Sequence, residues 1–517
     1  MRRVAGPLLL VVLLTAACGS TVQSTTSLSR EDPTGNGLSQ GATTQQQTGT
    51  EAPAGSSSGA PVASSAGPGP VGTSQSSNGS APRSRGTAPG VVVPTNGITN
   101  GPGVTDKTIT IGLAYYENAA SANAALGANV KTTDPESGTR AIVDDINSHG
   151  GIAGRRLQII TFGVDPQSPT PYAQSAQSMC TFFTEDHKVF AVLDGAPAAG
   201  GIARTCLDKR GVLYLGGGIL ANDDFVSHEL DPLTLTWRHL FERLPSILGQ
   251  QGWFGGWNHA TAAAGTLPVK TGVLTVDRPP MVNAVEQVLV PELRKQGHAP
   301  AAADVVRITS PNGFSDDGNV VAAIHAAVLR FRADNVTHVI LTDSNGSMSL
   351  LFQNDANTQG YYPRLGGTSG SGWQVLIDGG SLPVKTMHGA IGVGWEPLLD
   401  LEYTQGGGPY SNPSRKACFA VFAKAGTYPQ DGNTASSMAA ACDVGYLLPR
   451  ALAGYRGPVS RALVVRRVLQ LGTSYPSATT LGLRFGPGKR DGVSAYSPMV
   501  FVDSCRCVHY VGNRGAF

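Results

Sequence analysis

Charged side chains are scarce in this sequence. Of its 517 residues only 14% are Asp, Glu, Lys or Arg, and the formal net charge is +2. This balance gives neither the basic field that attracts nucleic acid nor an acidic tail. A long apolar run is missing as well, because residues 8–14 fall short of the roughly 20 residues that span a bilayer. We therefore expect no nucleic-acid partner and no transmembrane helix.

The N-terminus has the features of a secretory signal. Two arginines follow the first methionine, residues 8–14 are apolar, and small residues precede Cys18. A cysteine at this place resembles the lipobox of bacterial lipoproteins, although Thr15 stands where leucine is usual. Residues 1–18 are thus predicted to be a lipoprotein signal peptide. Lipidation of Cys18 would anchor the exported protein to the outer face of the bacterial cell membrane; signal cleavage beside an incidental cysteine is the alternative.

Residues 19–102 contain almost no large apolar side chains. Ser, Thr, Gly, Pro, Gln and Ala dominate this segment, and such a composition cannot bury enough surface to offset the entropy lost on ordering. We predict a disordered tether that holds a folded domain away from the membrane. A low-complexity stalk without a specific role would have the same polymer properties.

Seven cysteines occur in the chain, and six of them lie in the part expected to fold. An even number in an exported domain favours disulfides, although the sequence leaves their connectivity open. Proximity along the chain suggests the pairs Cys180–Cys206, Cys418–Cys442 and Cys505–Cys507. No His or Cys pair stands beside these residues at zinc-site spacing. We therefore predict no metal site and no cofactor.

Strands and helices alternate along the folded region. Residues 108–114, 188–193 and 271–276 have the β-branched, apolar composition of buried strands, and helical segments separate them. The alternation restarts after a Trp-rich crossover at about 245–258. Such a pattern predicts βαβ units and parallel sheets. Two successive runs of it predict two similar α/β lobes.

Motifs of common catalytic sites are not found. The glycine-rich stretch at 195–201 follows a strand but lacks the Lys and Ser/Thr of a phosphate-binding loop. His228 and Glu229 lack the second histidine of a zinc protease, and residues 366–370 do not form the GxSxG turn of hydrolases. No set of residues reads as nucleophile, base and orienting group, so we predict no enzymatic activity.

Two N-terminal motifs are specific when taken together. Residues 103–112 (GVTDKTITIG) resemble the start of the mature domain in the leucine/isoleucine/valine-binding protein family. Residues 146–156 (INSHGGIAGRR) resemble the iNa-GGI-GR signature of the same family. A helix at 435–453 and a β-rich ending at 481–511 also match. The chain thus resembles a lipoprotein member of this family over about residues 103–512.

This resemblance implies an α/β architecture, the type I periplasmic-binding fold. Its two Rossmann-like lobes have parallel sheets, are joined by three crossing segments and enclose a ligand cleft. Lobe 1 would comprise 103–246 plus about 389–475, and lobe 2 would comprise 247–388 plus about 476–517. The ligand would lie where the carboxyl ends of the parallel strands face each other.

Candidate ligand-binding residues lie in the loops that follow these strands. They are Tyr115, Tyr116, Gly195, Ala196, Gly217 and Gly218 in lobe 1, and Asp277, Ser344, Asn345, Ser369 and Ser371 in lobe 2.

Amino-acid-binding members of the family hold the carboxylate of the ligand with two hydroxyls and its ammonium with an acidic side chain. The corresponding positions here are Ala196, Leu220 and Ser369, so all three groups are missing. A buried ammonium without a counter-charge costs several kcal/mol. The resemblance therefore argues against an amino acid ligand, unless Asp277 or another acid substitutes.

These features predict a lipid-anchored extracytoplasmic solute-binding protein. It would capture a small organic solute by lobe closure and deliver it to an ABC transporter permease, the partner that the resemblance implies. The alternative is a ligand-sensing receptor or envelope scaffold lipoprotein of the same fold, not coupled to transport. We expect a monomer.

Overall fold

The computed structural model describes residues 99–216, 228–404 and 411–517, all within the unit Gly90–Phe517. In these residues the chain forms two α/β lobes, each built around a sheet with a parallel centre. The predicted signal peptide, Cys18 and nearly all of the predicted tether lie outside the described residues. No helix among those described combines the length and the apolar character that crossing a bilayer requires.

The sheet of the first lobe has five strands, all parallel, in the order β2-β1-β3-β4-β5. The strands are β1 (Thr108–Tyr116), β2 (Arg156–Val164), β3 (Ala191–Gly195), β4 (Leu213–Leu215) and β5 (Glu229–Leu230). Ile109, Ile111 and Leu113 of β1 pack into the core on one face. Ala114 and Val192 pack into a cluster on the other. Burial on both faces explains why these strands are apolar along most of their length.

The sheet of the second lobe repeats this order and extends it. Five parallel strands run β9-β8-β10-β11-β12, and β13 and β14 continue the sheet antiparallel, with β15 paired to β13. A separate hairpin, β6 and β7, precedes them. The bounds are β6 (Trp257–Asn258), β7 (Ala263–Ala264), β8 (Thr271–Val276), β9 (Val305–Ile308), β10 (His338–Leu341), β11 (Arg364–Thr368), β12 (Ile391–Gly394), β13 (Ala495–Val502), β14 (Cys507–Tyr510) and β15 (Gly515–Ala516).

Helices connect the strands and cover the sheets. In chain order they are α1 (Ala119–Ala125), α2 (Pro135–Ser148), α3 (Tyr172–Thr181), α4 (Pro197–Lys209), α5 (Trp237–Phe241), α6 (Leu244–Gln250), α7 (Pro279–Ala284), α8 (Val290–Lys295), α9 (Asp317–Ala333), α10 (Ser347–Thr358), α11 (Trp373–Asp378), α12 (Pro397–Asp400), α13 (Pro413–Lys424), α14 (Gly432–Gly445), α15 (Leu447–Ala451) and α16 (Arg461–Gln470). A π-helical turn, Phe182–Asp186, continues α3, and another, Val285–Leu289, joins α7 to α8.

The motif between α2 and β2 is a set of structural contacts. The Asn147 side chain donates to the carbonyl of Leu157 at 2.9 Å and accepts its N–H at 2.7 Å, which fixes the helix against the strand. Gly151 has φ +73°, and a Cβ there would lie 2.0 Å from the carbonyl oxygen of Arg155. The Arg155 Nε donates to Thr105 O at 2.7 Å. The signature that carries the family resemblance therefore builds the turn between α2 and β2.

The chain crosses between the lobes three times, after β5, after β12 and before β13. The first and third crossings run side by side, because Asp231 N–H donates to Arg490 O and Gly492 N–H donates to Asp231 O. The second and third meet where Leu481 N–H donates to Trp395 O at 2.8 Å. The three segments thus form one hydrogen-bonded hinge region.

A further segment links the lobes. After α1 the connection to α2 leaves the first lobe, and Ala128 packs in the core of the second. The Asn129 N–H donates to Ser381 Oγ at 2.8 Å, and its side-chain amide donates to Gly379 O at 3.2 Å. Part of the segment between β1 and α2 therefore crosses to the second lobe and packs against it.

The described residues contain three disulfides, with the same pairs that sequence proximity suggests. Cys180–Cys206 joins α3 to α4, Cys418–Cys442 joins α13 to α14, and Cys505–Cys507 lies at the turn between β13 and β14.

Candidate ligand-binding site

The two sheets have their topological switch points at equivalent places. In the first sheet the chain leaves β1 towards β2 on one side, whereas β3 leads to β4 on the other. In the second sheet the equivalent reversal lies between β8 and β10. Ligands of open α/β sheets bind outside the carboxyl ends of the strands at such points. Tyr116 ends β1, Gly195 ends β3, and Arg278 follows two residues after β8.

Loops from the two lobes are in direct contact beside this point. The N–H of Tyr172, the first residue of α3, donates to the carbonyl of Asn312 in the loop after β9 at 2.7 Å. In the same loop the Ser310 hydroxyl accepts a hydrogen bond from Arg278 Nε at 2.8 Å. The second lobe thus holds the Arg278 guanidinium where the first lobe approaches it.

Arg278 lies near charges and hydroxyls of the first lobe. Burial lowers the pKa of its guanidinium, Tyr116 and Tyr172 oppose that change, and the nearby positive charge of Arg204 adds to it. Arg204 has its own partner, Glu229, at 3.3 Å. In the described part of the chain no carboxylate forms an ion pair with Arg278. A half-buried guanidinium to which the described residues supply no counter-charge favours an anionic ligand, which its planar fork can bind through two hydrogen bonds.

The described candidate residues of the first lobe lie at the carboxyl ends of β1 and β3. Tyr115 pairs with Gly195 across β1 and β3, and its hydroxyl donates to Glu136 Oε2 at 3.1 Å. Burial and Glu136 raise the pKa of Tyr115. Gly195 is exposed, while Ala196 is buried and its N–H donates to Asp194 Oδ1 at 3.0 Å. Gly217 and Gly218, like Leu220, lie outside the described residues.

Asp194 belongs to the interior of the first lobe. Its other carboxylate oxygen accepts a hydrogen bond from the Tyr214 hydroxyl, and burial raises its pKa to about 6. A side chain at Gly195 would place its Cβ 2.9 Å from the carbonyl oxygen of Ala114. Close backbone packing therefore accounts for the glycine.

In the second lobe, three predicted residues occupy the loops at the switch point. Asp277 is exposed beside Arg278, and its N–H donates to Ile308 O at 2.7 Å. Ser344 is half-buried and Asn345 is exposed. Their loop is held by the buried Asp343 carboxylate, which accepts the N–H groups of Asn345, Gly346 and Ser349. Asp343 thus holds the first turn of α10 through Ser349 and fixes the loop that presents Ser344.

Ser369 and Ser371 turn into the second lobe. Both are buried. The Ser369 hydroxyl donates to Asp400 Oδ2 at 2.7 Å and accepts the Trp395 N–H at 2.8 Å. The Ser371 hydroxyl accepts the Thr368 N–H at 3.2 Å. The Ser369 hydroxyl therefore connects β11 to the second crossing segment, whereas the Ser371 hydroxyl closes the turn that follows β11.

Sequence reasoning missed three acids in the hinge region. Glu396 follows β12, and burial together with the nearby charge of Asp400 raises its pKa to about 8. Burial raises the pKa of Asp400 to about 6 and that of Asp231 to about 7. Glu396 Oε2 accepts from Ser436 Oγ at 3.4 Å. An acid two residues after a buried strand, with a second acid four residues further on, is the signal in the sequence that could have indicated Glu396 and Asp400.

A groove of about 600 Å³ lies elsewhere on the first lobe, between His228 and α16. Its walls are mainly apolar side chains of that helix, including Val465 and Leu469. It touches none of the strand ends at the switch points. We therefore assign the candidate site to the interlobe cleft, where polar groups of both lobes converge.

With this geometry the fold can be compared with solved structures. A possible leucine/isoleucine/valine-binding protein from Rhodopirellula baltica SH 1 matches with a TM-score of 0.54 at 14% identity, over 79% of this chain and 97% of that one. A solute-binding protein of an ABC transporter from Rhodopseudomonas palustris HaA2, in complex with p-hydroxybenzoic acid, gives 0.53 at 15% identity, over 79% and 97%. A fatty acid ABC transporter substrate-binding protein from Thermomonospora curvata gives 0.51 at 15% identity, over 81% and 94%.

These matches define the class of fold. The type I periplasmic-binding fold predicted from the sequence is confirmed, and so is the likeness to leucine/isoleucine/valine-binding proteins at the level of the fold. No model of a known protein family matches the sequence, and no curated protein sequence matches it either. The solved structures named above are all of binding proteins.

Proposed function

We propose that this chain is an extracytoplasmic solute-binding protein that captures a small organic acid between its two lobes. The observation that carries the proposal is Arg278, placed at the switch point of the second lobe and held by Ser310. Tyr116, Tyr172 and Arg204 of the first lobe lie near its charge. An acid such as an aromatic carboxylate or a fatty acid would supply a counter-charge that the described residues around Arg278 do not provide.

This proposal agrees with the predicted loss of the amino acid site. Ser369 is fully engaged with Asp400 and Trp395. Burial raises the pKa of Glu396 to about 8, which favours its uncharged form at neutral pH. A ligand with a carboxylate and no ammonium needs neither group. Two of the matched structures, by name, bind a fatty acid or contain p-hydroxybenzoic acid.

The remaining parts of the proposal rest on the sequence. Cys18 after a short apolar run supports a lipid anchor, and the matched ABC transporter proteins support delivery to a permease. Cys18→Ala should release the protein from the membrane fraction into the medium, whereas the unchanged chain should stay with the membrane. A sensing role for the same site is the second candidate, and impaired uptake of the acid after gene deletion would favour transport.

Thermal unfolding with matched ligands tests the binding site. We expect 4-hydroxybenzoate or a medium-chain fatty acid to raise Tm, and the corresponding uncharged amides to leave it unchanged. A ligand present at about 100 times its Kd adds about 2.7 kcal/mol to the free energy of unfolding. L-Leucine should produce no shift.

Variants of two arginines give the control. Arg278→Gln should abolish the shift by acids while the unliganded protein keeps its Tm. Arg332→Gln, at an exposed position of α9 in the same lobe, should bind as the unchanged chain does. If no organic solute of any class shifts Tm, the solute-binding function is wrong; if amides bind as well as acids, only the anion site is wrong.

A further inference from the structure

The hairpin at the edge of the second sheet carries a cluster of metal-ligating side chains. Strands β13 and β14 pair with Val502 opposite Cys507, and the turn between them includes Cys505. His509 follows two residues after Cys507, so both side chains leave the same face of β14. Cys505 and His509 are exposed, and Cys507 is buried beneath them. Since β14 is the edge strand, no further strand of the described sheet covers this cluster.

The three side chains converge closely. His509 Nε2 lies 3.0 Å from Cys507 Sγ and 3.6 Å from Cys505 Sγ. The three ligand atoms all lie within 4.8 Å of one another. The two cysteines are joined as a disulfide, and their Cα atoms are 5.2 Å apart. The sequence prediction of no metal site overlooked this cluster, because Cys-x-Cys-x-His lacks the two- to four-residue spacing of common zinc motifs.

The other two disulfides occupy different surroundings. Cys180, Cys418 and Cys442 are buried in the cores, with at most 3% of each residue exposed, and Cys206 is half-buried. A reductant reaches the exposed Cys505 far more easily than these sulfurs. The Cys505–Cys507 bridge also closes a loop of very few residues, so it restricts the unfolded chain less than the other two. Accessibility and small structural contribution are both features of a disulfide that can open while the protein stays folded.

We propose that reduction of the Cys505–Cys507 disulfide creates a binding site for one Zn²⁺ ion, formed by Cys505, Cys507 and His509. A dithiol donor supplies two electrons and two protons, the sulfur–sulfur bond becomes two thiols, and the donor leaves as a disulfide. Zn²⁺ then displaces the two thiol protons and binds two thiolates and the neutral imidazole. A water molecule completes the tetrahedral coordination that zinc prefers. The oxidised hairpin cannot bind zinc in this way, because both sulfurs are already bonded.

Zinc titration of the full chain tests this site, with Zn²⁺ itself as the probe. The protein is treated with dithiothreitol, freed of it without air, and titrated by calorimetry. Alkylation and mass spectrometry identify the reduced cysteines. We expect thiols at Cys505 and Cys507 with the other two disulfides intact, one Zn²⁺ bound per reduced chain, and none bound per oxidised chain.

Three variants separate this site from adventitious binding. Cys505→Ser/Cys507→Ser, which keeps every other cysteine, should bind no zinc after the same treatment. His509→Ala should weaken binding by at least about tenfold, since loss of even an outer-shell partner costs that much. His388→Ala is the matched control, because His388 stacks on Phe501 and pairs with Asp503 of the same turn at 3.3 Å without joining the cluster.

A kinetic measurement keeps the test decisive if a variant misfolds. Zinc bound to both thiolates should slow re-formation of the disulfide in the unchanged chain at least several-fold. The proposal is overturned if dithiothreitol leaves Cys505 and Cys507 bridged, or if the reduced chain binds no zinc. Equal zinc affinity of a folded His509→Ala variant, or re-oxidation at the same rate with zinc present, would overturn it too. None of these outcomes bears on the ligand proposed for the cleft.

Discussion

Gly150 and Gly151 stand side by side in the turn between α2 and β2, yet their surroundings differ. Both have positive φ, 91° and 73°. A Cβ at Gly150 would have no neighbour within 4 Å, whereas one at Gly151 would lie 2.0 Å from the backbone oxygen of Arg155. At Gly150 only the positive φ requires a glycine. At Gly151 the backbone of Arg155 also leaves no room for a side chain.

Alanine substitutions should separate these two requirements. We expect Gly150→Ala to cost about 1 kcal/mol of unfolding free energy, which is typical of a left-handed residue. Gly151→Ala should cost at least about 2 kcal/mol more, because the turn must open to admit the methyl group. Denaturant unfolding of both variants measures the difference. Equal losses would show that the contact with Arg155 does not constrain this turn.

Glu396 makes stability depend on pH. Its pKa in the folded protein is about 8 and its ordinary value is 4.5, so the folded state keeps a proton that the unfolded chain releases between these values. The free energy of unfolding therefore falls as pH rises from about 4.5 to about 8. The stabilisation that comes from the proton on Glu396 is complete only below this pH window. The raised pKa values of Asp400 and Asp231 act in the same direction.

Glu396→Gln should remove part of this dependence. Between pH 5 and pH 8 we expect the unchanged chain to lose roughly 3 to 4 kcal/mol more unfolding free energy than the variant does. Denaturant unfolding at the two pH values gives the comparison. Glu242→Gln, at an exposed position beside Arg238, should behave like the unchanged chain. A variant that loses as much stability as the unchanged chain would contradict a proton on Glu396.

The orientation of single side chains in and near the cleft could not be predicted from the sequence. Ser369 and Ser371 follow a strand in the sequence, but their partners determine which way they turn. Asp400 lies 31 residues from Ser369, and no local pattern indicates that pairing. Arg278 stands between Asp277 and two prolines, a composition typical of a turn. Its proposed role in binding an anion depends on its position near Tyr116 and other residues of the opposite lobe.

Elements were predicted well where burial and composition agree. The predicted strand at 271–276 is β8, and that at 108–114 is extended in β1 by two tyrosines. The strand predicted at 188–193 begins later, at Ala191, because Lys188 has φ +48° and breaks the extended backbone. The helix predicted at 435–453 begins at Gly432 and ends at Gly445, followed by a separate helix, α15. A capping box between Asp431 and Thr434 fixes its start.

Two disulfides should contribute differently to the elements that they join. Cys418–Cys442 spans 24 residues and links α13 to α14, whereas Cys505–Cys507 spans two. In the chain-entropy description the first stabilises by about 3.5 kcal/mol and the second by about 1.5 kcal/mol. Replacing each pair by alanines and measuring denaturant unfolding should reproduce this order. A larger loss at the hairpin would mean that its disulfide supports more than the turn.

At the scale of the whole molecule, the order of elements in the sequence predicts the fold, whereas the proposed ligand site depends on contacts between the lobes. Each lobe repeats the strand order in which the first strand lies beside the second and third, as the alternating pattern predicts for βαβ units. The sequence contains no comparable signal for the contact between Tyr172 and Asn312, or for Asn129 on the second lobe. Such contacts depend on how two independent surfaces fit, which periodicity does not encode.

The folded unit should therefore bind ligand without its N-terminal segment. Every core cluster among the described residues is formed by residues after position 103, and the segment before them has a composition that cannot build a core. A chain that begins at Gly90 should unfold at the same denaturant midpoint as the full chain, and the same organic acids should raise its Tm equally. As a control, Arg278→Gln is introduced into both the full chain and the shorter chain. The substitution should abolish the rise in Tm with organic acids in each. A lower midpoint or a weaker response in the shorter chain would show that residues 1–89 contribute to the fold or to the cleft, beyond their proposed role as signal, anchor and tether.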